Sequence, residues 1–292
     1  MVSGHHHLRK GKPLQKAARR RKLIGTGPLG QIAAHHEGIG LLAPDPRADG
    51  RVEGIEVGRP KMDIRNMKQP NVHSILQNGT LWITGTDTGV GKTAVSAALA
   101  LTAFDAGLDW RYFKPAETGA DYDSDFVAKA TGEPGRVISG YQFQAPLAPL
   151  FAAETVQAVV SPSRLDKLIS DLREARPLLV EGPGGALTPY AEGVNGAALA
   201  VRWKLTALVV AENRLGCLNH LLLTLEALER RGIPVAGVVF NDLDRASKSL
   251  ANPDYFRRLS EVPVLAWLPP LTGGKKPSAA WWHEGEARAN RP

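Results

Sequence analysis

The 292-residue sequence contains a single cysteine, Cys217. No disulfide can form within the chain, which fits the reducing cytoplasm, and a structural zinc site built from cysteines is excluded. No apolar run reaches the roughly 18 residues that suggest a membrane-spanning helix. The N-terminus also lacks the apolar centre of a secretory signal. We therefore expect a cytoplasmic protein that has no membrane partner.

Most of the chain also lacks an excess of positive charge. Lys and Arg number 36 and Asp and Glu 29, a formal net charge of +7. Residues 1–66 hold 13 of the basic and 6 of the acidic residues, so residues 67–292 contain 23 of each. Nucleic-acid-binding domains concentrate Lys and Arg on one face. The balanced charge of the larger part therefore argues against a nucleic-acid partner.

Residues 1–77 form a basic leader that is rich in Gly, Pro, His and Arg and lacks the periodicity of helices or strands. The favoured interpretation is a disordered or non-native stretch, with the natural start nearer Met62 or Met67. A basic targeting arm and a nucleic-acid-binding tail are the alternatives. We expect one folded domain at residues 78–271, followed by a polar, loosely ordered tail at residues 272–292.

From residue 80 onwards, short apolar segments alternate with helical ones. The expected strands are residues 80–84, 110–113, 178–180, 207–211, 235–240 and 264–267. The expected helices are residues 94–106, 125–130, 162–175, 218–230 and 255–259. This alternation is typical of βαβ units. It predicts an α/β, P-loop NTPase-type three-layer fold with a mainly parallel sheet and helices on both faces.

The clearest motif is the segment 85–93, Gly-Thr-Asp-Thr-Gly-Val-Gly-Lys-Thr, between a predicted strand and a predicted helix. Glycines let backbone N–H groups approach phosphate oxygens, and a helix N-terminus favours negative charge. Lys92 is placed to reach the β- and γ-phosphates, and Thr93 to bind Mg²⁺. The expected nucleotide-binding residues of the loop are Thr88, Gly89, Val90, Gly91, Lys92 and Thr93. A strand–helix turn whose glycines serve only its shape is the less favoured alternative.

Five residues separate Gly85 from the Gly-Lys pair, whereas the usual phosphate loop has four. With this additional residue, segment 84–93 resembles the opening signature of the dethiobiotin synthetase family. Four later segments resemble the same family in the same order. They are Phe-Lys-Pro-Ala-Glu-Thr-Gly at 113–119, Val-Glu-Gly-Pro-Gly-Gly at 180–185, Leu-Gly-Cys-Leu-Asn-His at 215–220 and Asn-Asp at 241–242.

The resemblance covers about residues 81–270 and implies an ATP-dependent cyclo-ligase of biotin biosynthesis. Such enzymes carboxylate 7,8-diaminopelargonate with CO₂ and close the ring of dethiobiotin, releasing ADP and phosphate. The resemblance also implies a carbamate, a carbamic–phosphoric anhydride and a homodimer. It implies catalytic roles for Lys92 and Lys114, since Lys114 ends a strand in the crevice where open parallel sheets bind ligands. A surface lysine at a strand end is the alternative for Lys114.

The resemblance implies that Thr93, Asp125 and Glu181 hold Mg²⁺. Glu181 follows a buried strand, where phosphate-loop enzymes commonly place a metal contact, although a solvated or helix-capping acid is the alternative. Asp125 is chosen because Ser-Asp at 124–125 resembles a pair in the family. Asp121 and Asp123 lie close enough in the sequence to compete with it.

The remaining expected contacts involve the substrate and the adenine base. The resemblance implies substrate contacts from Thr118, Gly184, Gly185, Cys217 and Asn219. Cys217 and Asn219 open a helix whose free N–H groups suit a carboxylate, and in the family this segment reaches the substrate across the dimer interface. Asn241 and Pro269 are expected to flank adenine, with a simple turn role as the alternative for Asn241. Nucleophilic catalysis by Cys217 is not favoured, because the sequence offers it no evident His-plus-acid partners.

The sequence departs from the family pattern at two positions. Gly89 stands where many members have Glu, and Pro183 stands where Ala is common. Among other classes, amide-forming synthetases of the cobyrinate type carry a further glutaminase domain, for which the residues after Pro270 are too few. Partitioning and septum-positioning ATPases carry an additional lysine early in the phosphate loop, which is absent here.

Overall fold

The computed structural model describes residues 72–243 and 250–291. The strands of these residues are β1 Thr80–Gly85, β2 Arg111–Thr118, β3 Val137–Phe143, β4 Leu178–Glu181, β5 Pro189–Ala191, β6 Val194–Asn195, β7 Thr206–Glu212, β8 Val235–Asn241 and β9 Val264–Leu268. Their helices are α1 Val72–Asn78, α2 Lys92–Asp105, α3 Asp123–Thr131, α4 Pro149–Glu154, α5 Pro162–Asp171, α6 Gly196–Arg202, α7 Cys217–Glu229, α8 Asn252–Arg257 and α9 Ala279–Ala289.

Seven of these strands form one sheet in the order β3-β2-β4-β1-β7-β8-β9, and every pairing in it is parallel. Strands β5 and β6 form a separate antiparallel pair. Parallel strands that are covered on both faces have nearly continuous apolar sequences. Strand β7 shows this pattern, since residues 207–211 are all buried. The predicted parallel α/β architecture is therefore confirmed.

Two apolar clusters lie on opposite faces of the sheet. Successive residues of a strand point to opposite faces, so Trp82 enters one cluster while Leu81 and Ile83 enter the other. Helices α4 to α8 contribute to the Trp82 cluster, and α1, α2, α3 and α9 contribute to the other. The result is the predicted arrangement of three layers.

The expectation of a loosely ordered tail is wrong, because helix α9 occupies much of residues 272–292. Ser278 caps the helix by accepting a hydrogen bond from the backbone N–H of Trp281 at 3.1 Å. Trp281 and Trp282 are buried. Gly285 allows close packing, since a Cβ atom there would lie 2.5 Å from Leu268 Cδ2. Two large aromatic rings and small neighbours bury this helix despite its polar composition.

Other elements also differ from the sequence prediction, since α4, α6, β5 and β6 were not expected. Helix α1 falls inside the predicted leader, and its Val72 and Leu76 are buried in the core. The rest of the leader prediction lies outside the described residues. Edge strand β3 was not predicted, because most of its residues are only half-buried and Gly140 interrupts its apolar pattern. No helix in the described part of the chain is both long and apolar enough to span a membrane.

Candidate active site

The phosphate loop connects β1 to α2, as the sequence predicts. Gly89 and Gly91 have φ angles of 77° and 90°, a left-handed conformation that glycine adopts without strain. Gly91 also has no room for a side chain, because a Cβ atom there would lie 2.1 Å from Asn241 Nδ2. The Lys92 ammonium group folds back over the loop and donates a hydrogen bond to the carbonyl oxygen of Asp87 at 2.9 Å.

Glu181 is the centre of a buried polar network at the end of β4. Its Oε2 atom accepts hydrogen bonds from Ser96 Oγ at 2.6 Å and from the Tyr112 hydroxyl at 3.0 Å. Its Oε1 atom accepts from Lys114 Nζ at 2.7 Å and lies 3.0 Å from Thr93 Oγ1. The carboxylate is therefore held by two donors on Oε2 and by the Lys114 ammonium group on Oε1.

Asp123, rather than Asp125, lies beside this network. Its carboxylate contacts Lys114 Nζ, and its Oδ1 atom accepts a hydrogen bond from Thr93 Oγ1 at 2.6 Å. Asp125 is exposed and does not line the site. The cause is local, because Ser124 is buried and bonds to Glu117 through its backbone N–H at 2.9 Å and its hydroxyl at 2.6 Å. That anchor turns Asp123 towards Lys114 at the first residue of α3.

The two lysines of the site have opposite pKa shifts. Burial is the main cause that lowers the pKa of Lys92 to about 8, and the nearby Lys114 charge lowers it further against the opposing effect of Glu181. Burial also disfavours the charged form of Lys114, but the Glu181 and Asp123 carboxylates outweigh it and raise the pKa above its ordinary value. Lys114 is therefore a permanent cation, whereas Lys92 can titrate near neutral pH.

A cavity of about 550 Å³ joins the phosphate loop to this network. The predicted site residues that line it are Thr88, Gly89, Gly91, Lys92, Thr93, Lys114, Thr118, Glu181 and Gly184. The segment 146–149 and Thr188 also line it. The cavity therefore has a phosphate loop, two lysines and the four carboxylates of Glu117, Asp121, Asp123 and Glu181 around one space.

Other predicted site residues do not line this cavity. Val90 is buried and Gly185 lies close to the loop backbone, with a would-be Cβ 3.4 Å from the carbonyl oxygen of Gly85. Cys217 is buried at the start of α7, and burial raises the pKa of its thiol, which disfavours a nucleophilic thiolate. Asn219 is exposed on the same helix.

The two residues predicted to flank adenine lie at the ends of β8 and β9. Asn241 Nδ2 donates to the carbonyl oxygen of Val90 at 3.1 Å, which ties β8 to the phosphate loop. Pro269 follows β9, and its carbonyl oxygen accepts a hydrogen bond from Trp281 Nε1 at 2.8 Å. Neither residue lines the cavity beside Lys114, and their placement beside adenine stays a prediction.

Sequence reasoning missed the donors that fix Glu181. Ser96 lies one turn beyond the phosphate loop on α2, and Tyr112 lies two residues before Lys114 on β2. A buried hydroxyl facing a buried carboxylate carries no signal in one sequence, because the two residues are far apart along the chain. Asp123 was weighed, but three nearby acids on one loop could not be ranked by spacing alone.

Residues 79–278 match a family model described as an AAA domain. The chain is 45 % identical over 199 residues to the ATP-dependent dethiobiotin synthetase BioD of Anaeromyxobacter dehalogenans, which aligns 65 % of this chain and 89 % of that protein. It is 38 % identical over 192 residues to the protein of the same name from Novosphingobium aromaticivorans, covering 64 % and 88 %. The chain belongs to the ATP-dependent dethiobiotin synthetase family.

The fold of this dethiobiotin synthetase family member is shared with more distant proteins. The cell division ATPase MinD of Pyrococcus furiosus matches with a TM-score of 0.51 at 18 % identity, over 72 % of this chain and 97 % of that chain. Identity this low indicates a common fold alone. It confirms the predicted P-loop NTPase-type architecture.

Both departures from the dethiobiotin synthetase pattern line the cavity. Gly89 is exposed at the tip of the phosphate loop, and Pro183 lies in the turn after β4. The next residue, Gly184, has φ 59°, and a Cβ atom there would lie 2.5 Å from Thr188 Oγ1. The loop geometry thus depends on Gly184 and accommodates proline beside it.

Proposed function

We propose that this chain is an ATP-dependent dethiobiotin synthetase, a cyclo-ligase that converts 7,8-diaminopelargonate, CO₂ and ATP into dethiobiotin, ADP and phosphate. One observation carries the proposal beyond family membership. The Lys114 ammonium group lies between the Glu181 and Asp123 carboxylates, on the wall of the cavity that also contains the phosphate loop. A buried cation on this wall supports a site in which a carbamate and a phosphoryl group would meet.

ATP would lie with its phosphates over loop residues 88–93 and its base between Asn241 and Pro269. The backbone N–H groups of the loop and the N-terminus of α2 favour the phosphate charge. Lys92 would exchange its hydrogen bond to Asp87 for the β- and γ-phosphates. The hydrogen bond from Asn241 to the Val90 carbonyl supports a common placement of base and phosphates.

The oxygen atoms of three residues fit a magnesium site. Thr93 Oγ1 lies 2.6 Å from Asp123 Oδ1 and 3.0 Å from Glu181 Oε1, so three hard ligands converge beside the loop. Two carboxylates and a hydroxyl leave positions for phosphate oxygens and water, as Mg²⁺ prefers. Mg²⁺ would offset the negative charge of the transferring phosphoryl group. In this proposal Asp123 takes the metal-binding role that the family resemblance implied for Asp125.

The reaction would proceed in three steps. One substrate amine attacks CO₂, forming a carbamate and releasing a proton to solvent. A carbamate oxygen then attacks the γ-phosphorus and ADP leaves, which gives a carbamic–phosphoric anhydride. The second amine attacks the carbonyl carbon, closes the ring and expels phosphate.

In this scheme Lys114 acts as a cation rather than a base. Its pKa is raised, so it remains charged and stabilises the negative charge of the carbamate and of the transferring group. Holding the amine, the carbamate and the γ-phosphate in one small cavity would further accelerate the reaction through proximity. Thr118 and Gly184, which line the cavity, would orient the diamine end of the substrate.

A homodimer would complete the substrate site. Asn219 is exposed and does not line the cavity of its own chain, which supports a role in the cavity of a second copy. Leu215, Leu222 and Leu223 around the start of α7 are 88 %, 38 % and 57 % exposed. An apolar surface of this kind favours association. The N-terminus of α7 would then bind the substrate carboxylate of the partner.

The test is to incubate the purified protein with 7,8-diaminopelargonate, bicarbonate, Mg²⁺ and ATP, and to follow dethiobiotin by mass spectrometry. A Lys92→Ala variant is the inactive comparison, and Lys129→Ala, an exposed lysine on α3, is the matched control. Dethiobiotin from the unaltered and Lys129→Ala proteins, but not from Lys92→Ala, is expected. ATP binding without any dethiobiotin would disprove the proposed reaction.

A further inference from the structure

Helix α9 contacts both strand ends that are assigned to the base of the nucleotide. Trp281, Gly285 and Arg288 are four and three residues apart and therefore share one face of the helix. Trp281 and Arg288 are separated by about 10 Å along its axis. This is enough for one helix to reach the ends of two adjacent strands.

At the first contact, the Trp281 ring is buried and its Nε1 donates to the Pro269 carbonyl oxygen at 2.8 Å. Proline has no backbone N–H, so this carbonyl is the only backbone hydrogen-bonding group that Pro269 offers. Gly285 lies against Leu268 at the end of β9. The path of the chain after β9 is therefore set by the position of α9.

At the second contact, Arg288 donates to Asp242 Oδ2 at 2.9 Å and its guanidinium lies 4.6 Å from the centre of the Trp267 ring. Asp242 directly follows Asn241. It also accepts hydrogen bonds from Asn213 Nδ2 at 2.7 Å and from Trp267 Nε1 at 3.0 Å. This buried carboxylate thus holds the end of β8 against β9 and α9.

Trp282 provides a contrast on the same helix. Its ring is fully buried, and within the described residues its Nε1 has no hydrogen-bond partner. Trp282 therefore contributes packing alone, whereas Trp281 adds a directed hydrogen bond to the base side of the site. Comparing substitutions of Trp281 and Trp282 therefore separates a general effect of α9 on stability from a specific effect on nucleotide affinity.

We propose that α9 positions the base pocket, with Trp281 fixing Pro269 and Arg288 fixing Asn241 through Asp242, so that affinity for the adenine base depends on this helix. The proposal rests on the proposed function for its placement of the base. Trp281 and Arg288 are positioning residues, since neither is assigned a contact with ATP.

The test compares Trp281→Phe with Trp282→Phe, and Arg288→Leu with the exposed Arg291→Leu. Calorimetry measures the affinity of each protein for ATP, for CTP and for inorganic tripolyphosphate, which has no base. Trp281→Phe and Arg288→Leu are expected to lower the affinity for ATP about fivefold, which is the effect of roughly one net hydrogen bond. Their tripolyphosphate affinity should be unchanged, and their preference for ATP over CTP should narrow.

Three outcomes would overturn the proposal. The first is an equal loss of ATP affinity in Trp281→Phe and Trp282→Phe. The second is a loss of tripolyphosphate affinity in Trp281→Phe or Arg288→Leu that parallels their loss of ATP affinity. The third is an unaltered protein that binds ATP no better than tripolyphosphate, because no base pocket would then exist. Dethiobiotin formation by the unaltered protein is measured separately. Its absence would defeat the proposed reaction without affecting the comparison of nucleotides.

Discussion

The Lys114 ammonium nitrogen lies 2.7 Å from Glu181 Oε1, and the two side chains are only 1 % and 0 % exposed. Such a pair is costly to bury, and its charges must be matched by close partners. Asp123, Thr93, Ser96 and Tyr112 supply the remaining contacts. The same groups that satisfy these charges also shape the candidate active site, so stability and catalysis are linked here.

Replacing Glu181 with Gln is expected to destabilise the fold by about 3 kcal/mol, because removing one partner leaves a buried charge poorly compensated. Urea unfolding measures the change, and the exposed Glu174→Gln serves as the control. The double variant Glu181→Gln with Lys114→Met should recover part of the stability, since no unpaired ammonium remains. Equal stability of the single and double variants would contradict this view of the pair.

Asp123 and Asp125 offer a matched comparison, two residues apart on α3. Asp123→Asn is expected to lower the rate of dethiobiotin formation by at least about 100-fold, because the proposed metal ligand and a partner of Lys114 are both impaired. The rate of Asp125→Asn should stay within about twofold of the unaltered protein, because this variant loses only a favourable contact with the helix N-terminus. Steady-state rates at saturating Mg²⁺ measure both. A larger loss of rate in Asp125→Asn than in Asp123→Asn would favour Asp125 as the metal ligand.

The sequence predicted those parts of the fold that carry a local signal. The phosphate loop was predictable because glycines, Lys92 and Thr93 are contiguous between an apolar strand and a helix. Strand β3 was not, since an edge strand that contains Gly140 is only half-buried and loses the apolar pattern. Helix α9 was missed because Trp281 and Trp282 supply its burial without the usual repeat of aliphatic residues.

The candidate site was predictable only as far as single residues stand out along the chain. Glu181 ends strand β4, whereas Lys114, which was expected at the end of a strand, lies inside β2. A charged residue beside an apolar segment is conspicuous in either case. The choice of Asp123 depends on the hydrogen bonds between Ser124 and Glu117, which link residues on either side of a loop. Contacts of this kind follow from packing and leave no trace in the spacing of residue types.

Tyr112 and Ser96 are expected to orient Glu181 for metal binding, since both donate to its Oε2 atom and leave Oε1 directed towards Lys114 and Thr93. Tyr112→Phe should weaken metal affinity about tenfold, as loss of an outer hydrogen bond does in metal sites. Binding of Mn²⁺ to the ADP complex, followed by electron paramagnetic resonance, measures this without catalysis. The exposed Tyr255→Phe is the control. Unchanged Mn²⁺ affinity in Tyr112→Phe would show that the hydroxyl does not orient the carboxylate.

The pKa of Lys92 predicts that ATP binding takes up protons at alkaline pH. Burial lowers this pKa to about 8, so at pH 8.5 roughly three-quarters of the lysine is neutral before ATP binds. The phosphates favour the charged form and raise the pKa again.

Binding at pH 8.5 should therefore take up a large fraction of one proton, and affinity should fall as the pH rises above 8. At pH 6.5 Lys92 is already charged, and its contribution to uptake should vanish. Calorimetry in buffers of different ionisation enthalpy measures the protons directly, and Lys92→Gln should abolish the uptake at pH 8.5. A binding heat at pH 8.5 that does not depend on the buffer would mean that Lys92 is fully protonated before ATP arrives.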